Sequence, residues 1–211
     1  MSFAVTTDEL DYVEIDRPLV ELAVNALASA ERNAFRGVTA ESCTGGLIAT
    51  VLSEAPGAAD YFDGAFVCYT ADHKCAALGI DPKLIERDGV VSRQVAIAMA
   101  NGALAHSDAD LAVAITGVAG PERDEDGNPV GLVYLACVRR GGDSVCVKQN
   151  FGDIGRSKIR YRAASEALTL LAEVARAASP RPHPVGARRY CRASPWRSHA
   201  RPSPRDRRRV S

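Results

Sequence analysis

The stretch Gly37-Val38-Thr39-Ala40-Glu41-Ser42-Cys43-Thr44-Gly45-Gly46-Leu47-Ile48-Ala49-Thr50 decides how the rest of the chain is read. Residues 37–40 have the content of a short strand. Ser42, Cys43 and Thr44 form a polar turn, and the glycine pair opens a helix. A hydroxyl on such a turn is held out of the core, and glycines leave backbone N–H groups that can approach an oxyanion or a phosphate closely. The strand, turn and helix together are a building unit of α/β architecture.

Upstream, Pro18 starts a helical pattern with Leu19, Leu22, Ala23, Ala26 and Leu27 at spacings near three and four. Downstream, the helix after the turn stops before Pro56-Gly57. Residues 60–69 have the aromatic and β-branched content of a strand. Thr70 is placed to cap a short helix that ends at Gly79, and Asp81-Pro82 restarts a helical turn broken by Asp88-Gly89. Ser92 then caps an alanine-rich helix that runs to His106. Residues 110–116 form a continuous apolar run with a polar exit, as in a strand buried on both faces. An acidic loop over 122–129 follows. Two strands, 130–139 and 144–151, join at Gly141-Gly142 as a hairpin, and a last helix covers 154–177. This order predicts one three-layer α/β/α domain with a mixed sheet over residues 18–178, preceded by a polar lead-in over 1–17.

The formal net charge of zero over 211 residues conceals a segregation. Residues 179–211 hold ten arginines and one acid, Asp206, so the body is acidic and the tail basic. The tail is rich in Pro, Arg and Ser without periodicity and is expected to be disordered, because it has too little apolar surface to offset chain ordering. One Trp and one Tyr accompany its arginines, which favours a non-essential extension over a nucleic-acid-binding arm. Six cysteines show neither CxxC pairs nor metal spacing, so no metal site is expected and a reducing, cytoplasmic setting is. No signal-like start and no membrane-length apolar run is present.

Two strand-exit loops, 41–46 and 116–121, each pair a hydroxyl with glycines at the carboxyl end of a strand, where open α/β sheets bind ligands. Taken singly, each is equally well a tight turn with a helix cap. Ser42 needs an adjacent base to act as a nucleophile. Three histidines are poorly placed for that work, since His183 and His199 fall in the tail and His106 at a helix end, and only His73 is near a plausible site. Lys74 is the better candidate, because a lysine desolvated in a cleft can be neutral and accept a proton. Its ordinary alternative is a solvated helix lysine. Arg156 and Arg160 lie one helical turn apart at a helix start, where a cation gains nothing from the helix dipole. That placement favours contact with a phosphate or carboxylate, the alternative being an ion pair with a surface acid.

Residues 40–46, Tyr69 followed by Lys74, Val90-Val91-Ser92, residues 115–121 and Pro129-Val130-Gly131-Leu132-Val133-Tyr134, taken in this order and spacing, resemble the C-terminal domain of the CinA (competence/damage-inducible) proteins. The resemblance covers about 19–177. It implies a stand-alone nicotinamide-nucleotide amidohydrolase, converting nicotinamide mononucleotide to the nicotinate mononucleotide and ammonia in pyridine-nucleotide recycling, with no cofactor and a dimeric assembly. By the same resemblance, Ser42 is the nucleophile, Lys74 its base, and Tyr69 a proton relay or polariser. The amides around Thr44, Gly45 and Gly46 hold the oxyanion. Thr116, Gly117 and Gly120 line the ribose-phosphate part, and Arg156 or Arg160 supplies positive charge. The chain departs from the family pattern at Thr70-Ala71-Asp72-His73 and at Ile154-Gly155. A non-catalytic nucleotide-binding module of the same fold is the competing expectation.

Overall fold

The computed structural model describes residues 16–177. The lead-in 1–15 and the tail from 178 onward, including the disorder expected of the tail, lie outside the described residues. Five strands form one sheet in the order β2-β1-β3-β4-β5: β1 (Gly37–Glu41), β2 (Phe62–Val67), β3 (Leu111–Gly117), β4 (Leu132–Arg139) and β5 (Ser144–Asn150). β1 pairs in parallel with β2 and β3, while β4 runs antiparallel to both β3 and β5, so the sheet is mixed as expected.

Among the described residues, seven helices cover the two faces. On one side α1 (Arg17–Arg32), α2 (Leu47–Glu54) and α7 (Arg156–Ala177) pack over Leu111, Val113 and Ile115 of β3. On the other, α4 (Ala71–Leu78), α5 (Pro82–Asp88) and α6 (Arg93–Ala105) share a core with Val38, Ala40, Ala112 and Ala114. The alternation along β3 follows from the two-residue period of a strand, and burial of both faces explains why the run contains no charge. The small side chains on the second face let α6 lie close, with Val95, Ala96, Met99, Ala100 and Ala103 all fully buried.

The expected caps are in place. Thr70 accepts from His73 N, Asp81 from Lys83 N and Ser92 from Val95 N, and Gly79 closes α4 in the left-handed region. Two differences stand out. A four-residue helix, α3 (Ala58–Tyr61), precedes β2 and shortens the strand expected over 60–69. α7 starts at Arg156 rather than at 154, because Gly155 with φ 91 cannot belong to a right-handed helix.

Parallel pairing sets Glu41 opposite Val67 on one side and Ile115 on the other. The carboxyl ends of β1, β2 and β3 therefore lie along one edge of the sheet. With β1 in the middle, the Ser42 turn sits between the segment after β2 and the loop after β3. The sheet topology itself assembles the candidate site there.

Candidate active site

The Ser42 turn is bound on three sides. Ser42 N donates to Ile115 O at 3.1 Å, which continues the β1–β3 ladder one residue further. Gly45 N donates to Ser42 O at 3.1 Å, closing the turn, and Gly45 and Gly46 take φ values of 61 and 93, a region that strains any side chain. Arg160 Nη2 donates to Thr44 O at 2.7 Å from α7. Ser42 is nearly buried, at 6% exposure, and opens onto a cavity of about 580 Å³.

Lys74 comes to Ser42 from α4, thirty-two residues on. Its Nζ lies 2.9 Å from Ser42 Oγ and donates to Cys68 O at 3.1 Å and, at a longer 3.5 Å, to Tyr69 O. The side chain is fully buried. Burial, the dominant influence, lowers its pKa from the usual 10.5, against the weaker opposing pull of Cys68, Cys43 and Cys75. Thr70 fixes this geometry, since its cap starts α4 immediately after β2 and turns Lys74, one helical turn on, back beneath the Ser42 turn. The solvated-lysine alternative is excluded by the burial.

Cys43, next to the serine, is not a rival nucleophile. Desolvation pushes its thiol up to about 12, outweighing the lowering by Lys74 and Arg160, so it stays protonated.

The cavity is lined by Ser42, Cys43, Tyr69, Thr116, Gly117, Gly120 and Arg156 among the residues singled out from sequence. Arg156 crosses its mouth, where Nη1 donates to Gly120 O at 2.7 Å and Nη2 to Tyr69 OH at 3.1 Å. Acidic residues Asp72, Glu122, Asp124, Glu125 and Asp126 complete the wall, with Arg156 as its lone cation among the described residues. Val90 and Val91 supply an apolar flank.

Three expectations are corrected by these positions. The Tyr69 phenol is exposed and bound to Arg156, so its link to the dyad runs through the main-chain carbonyl and not through a hydroxyl relay. The amides of Gly45 and Gly46 are spoken for by Ser42 O and by Glu41 Oε2, the latter at 3.0 Å; among the described residues the Thr44 amide has no protein acceptor and the Cys43 amide faces only its own thiol. Thr116 stays on the cavity wall, where its buried hydroxyl donates to Val90 O at 2.9 Å and ties the two flanks together. Arg160 lies behind the turn rather than on the cavity, which leaves Arg156 as the arginine a ligand can reach.

Sequence reasoning passed over Glu41, although it stands beside Ser42. Its buried carboxylate accepts from Thr39 Oγ1 at 3.3 Å, Thr44 Oγ1 at 2.8 Å, Gly46 N at 3.0 Å, Ile48 N at 3.1 Å and Ala49 N at 2.8 Å. It caps α2 from six residues upstream. A capping signal is sought three residues from the helix start, so this one has no recognisable spacing.

The model of the CinA C-terminal domain matches residues 19–175. The chain belongs to the CinA C-terminal domain family. A "CinA-like protein" of Synechocystis sp. is 40% identical over 160 residues, 75% of this chain and 38% of its own length. A namesake of Mycobacterium sp. (strain JLS) is 43% identical over 156 residues, 74% of this chain and 36% of its own length. The chain thus spans less than two fifths of the length of these curated relatives. Among solved structures, the competence/damage inducible protein CihA from Agrobacterium tumefaciens superposes with a TM-score of 0.73 at 41% identity, covering 76% of this chain and 98% of that one. A CinA superfamily protein of Escherichia coli gives 0.71 at 30% identity, covering 81% and 99%. No groups of His, Cys, Asp and Glu suited to a metal ion occur among the described residues, nor any helix long and apolar enough to cross a membrane.

Proposed function

We propose that the chain is an amidohydrolase acting on the carboxamide of nicotinamide mononucleotide, with Ser42 as nucleophile and Lys74 as base. The observation that carries the reading is the set of partners around Lys74 Nζ. A neutral amine has two N–H bonds and one lone pair. With Cys68 O and Tyr69 O as acceptors for the two N–H bonds, the lone pair is left for the Ser42 hydroxyl 2.9 Å away. A buried lysine with no carboxylate partner favours that neutral form.

The chemistry then balances as acyl transfer. Lys74 takes the hydroxyl proton as Ser42 Oγ bonds to the amide carbon, and the negative charge on the former carbonyl oxygen meets the Cys43 and Thr44 amides. Donors of this kind contribute about 3–4 kcal/mol each. Collapse of the adduct breaks the carbon–nitrogen bond, and the proton held by Lys74 leaves with the nitrogen as ammonia. Water adds to the acyl-serine with Lys74 again as base. The carboxylate product departs, and Ser42 regains its proton.

The wall supports this substrate class. A pyridinium ring is a cation suited to a cavity rimmed by Asp72, Glu122, Asp124, Glu125 and Asp126, and the phosphate of a mononucleotide finds a reachable arginine in Arg156. Purified protein is expected to release ammonia from nicotinamide mononucleotide. Ser42→Ala and Lys74→Ala should each lower the rate by roughly 10⁴-fold or more, and full activity in both would sink the mechanism. Saturable nucleotide binding with no ammonia would favour a binding module instead. Arg156→Gln should raise KM for the nucleotide about tenfold, by loss of a charged hydrogen bond, while leaving KM for the corresponding nucleoside, which lacks the phosphate, within twofold. Equal effects on the two would remove Arg156 from phosphate recognition.

A further inference from the structure

We infer that Glu41 is the positioning residue of the nucleophile: its carboxylate occupies the amino end of α2 and so fixes both where Ser42 Oγ stands and which amides remain for the oxyanion. The inference rests on the Ser42–Lys74 reading of the site, and it assigns a task to a residue that touches neither the cavity nor the lysine.

Three observations carry it. The carboxylate is fully buried, yet none of its five donors is a cation. A charge in that position is tolerated because three backbone N–H groups and the positive end of a helix surround it. Such a group is expensive to leave half-satisfied, so the donors are drawn to one geometry. Next, the donors bracket the serine. Thr39 lies three residues before Ser42, while Thr44 and Gly46 lie two and four after it, so one carboxylate ties the incoming strand to the outgoing helix across the turn. Finally, Glu41 consumes the α2 amides that a ligand would otherwise reach. Gly46 N and Ile48 N go to Oε2 and Ala49 N to Oε1. An anion on Ser42 therefore meets the Cys43 and Thr44 amides, one and two residues after the nucleophile. Removing Glu41 would open a competing anion site at the helix end and release the turn together.

The variant of choice is Glu41→Gln. The amide keeps one oxygen for the Thr44 and Gly46 side, and Thr39 can reverse its hydroxyl to accept from the new N–H, which leaves Ala49 N as the one orphaned donor. The reporter is covalent labelling of Ser42 by a fluorophosphonate, followed by mass spectrometry. It needs Ser42, Lys74 and the oxyanion donors but no knowledge of the natural substrate. A pure folding defect lowers the fraction of protein labelled and leaves the rate constant of the folded remainder unchanged. Loss of positioning does the reverse. We expect complete labelling with a rate constant lowered about tenfold in Glu41→Gln and about a hundredfold in Glu41→Ala, in line with the cost of a misplaced reacting group. The midpoint of its pH dependence should stay within a few tenths of a pH step, since Glu41 is not among the groups that shift Lys74.

An unchanged rate constant in both variants overturns the inference. So does a loss confined to the labelled fraction, or a midpoint that moves with the rate, which would make Glu41 a tuner of the lysine. If the wild-type protein labels at Ser42 but releases no ammonia from nicotinamide mononucleotide, the substrate assignment fails and the positioning role of Glu41 stands or falls by the labelling alone.

Discussion

Lys74 makes the site sensitive to pH in two ways that share one cause. Burial lowers its pKa in the folded protein below the 10.5 of an ordinary lysine. In the proposed mechanism the base form carries the reaction, so kcat/KM should rise with pH through the folded value and reach its plateau below 10.5, with no fall attributable to Cys43 in that range. A midpoint at or above the ordinary lysine value in a pH–rate profile would falsify the neutral-base reading. Stability follows the same group. Between the folded value and 10.5 the unfolded chain binds one proton more than the native one, so stability rises with pH across that window. Below it both states are protonated, and the cost of a buried charge is fully felt. Urea melts of wild type and Lys74→Met over a pH series should show the wild type gaining on the variant as pH rises. Cys43, with its thiol held near 12 and 5% exposed, should resist iodoacetamide in the native protein and react once unfolded. The sequence made Ser42 and Lys74 legible because a turn serine and a lysine just past the next strand are positions on elements whose order fixes their meeting. It left Tyr69 misread, because no sequence shows whether a residue works through its side chain or its carbonyl.

At the scale of elements, the site depends on how α4 and α6 are held against each other. Gly102 of α6 faces the end of α4 so closely that a Cβ there would run into Leu78 O and stand 2.7 Å from Leu78 Cβ. Gly102→Ala should cost roughly 1–3 kcal/mol in urea denaturation, and because α4 carries Lys74 the rate of Ser42 labelling should fall with it. A variant as stable and as fast as wild type would show that the α4–α6 contact yields freely. Ser92→Ala removes the α6 cap and should cost about 1 kcal/mol in the same assay. Most element ends were readable, because Thr70, Gly79, Asp81-Pro82 and Ser92 act locally, within three residues of the backbone groups they satisfy. α3 was not, since four residues carry too little pattern to separate a helical turn from the start of a strand. The start of α2 was legible at the glycine pair, but its cap was not. The glycine pair signals a turn, whereas the cap comes from Glu41 across it, and a contact of that reach is tertiary.

For the whole molecule, the sheet is the rigid member on which everything else is mounted. β1 and β3 are paired on both sides and buried on both faces, whereas β5 is an edge strand with half its residues exposed. Native-state hydrogen exchange should find the slowest amides in β1 and β3; amides of β5 exchanging more slowly than those of β3 would contradict this order of stability. The two faces of that sheet are unequal, with Leu111, Val113 and Ile115 on one and Ala112 and Ala114 on the other. On the alanine side α6 packs over the methyls of Ala40, Ala112 and Ala114 beside Val38 and Val138, and the segment leading into it brings Val90 and Val91 to the cavity wall, with Val90 pinned by Thr116. Those methyls act as a shim. Thickening it, as Ala100→Val or Ala114→Val would do, should lift the Val90–Val91 wall away from Ser42, so that the aperture is set from beneath. Which ring sizes the cavity admits should then be adjustable by residues that line no part of it.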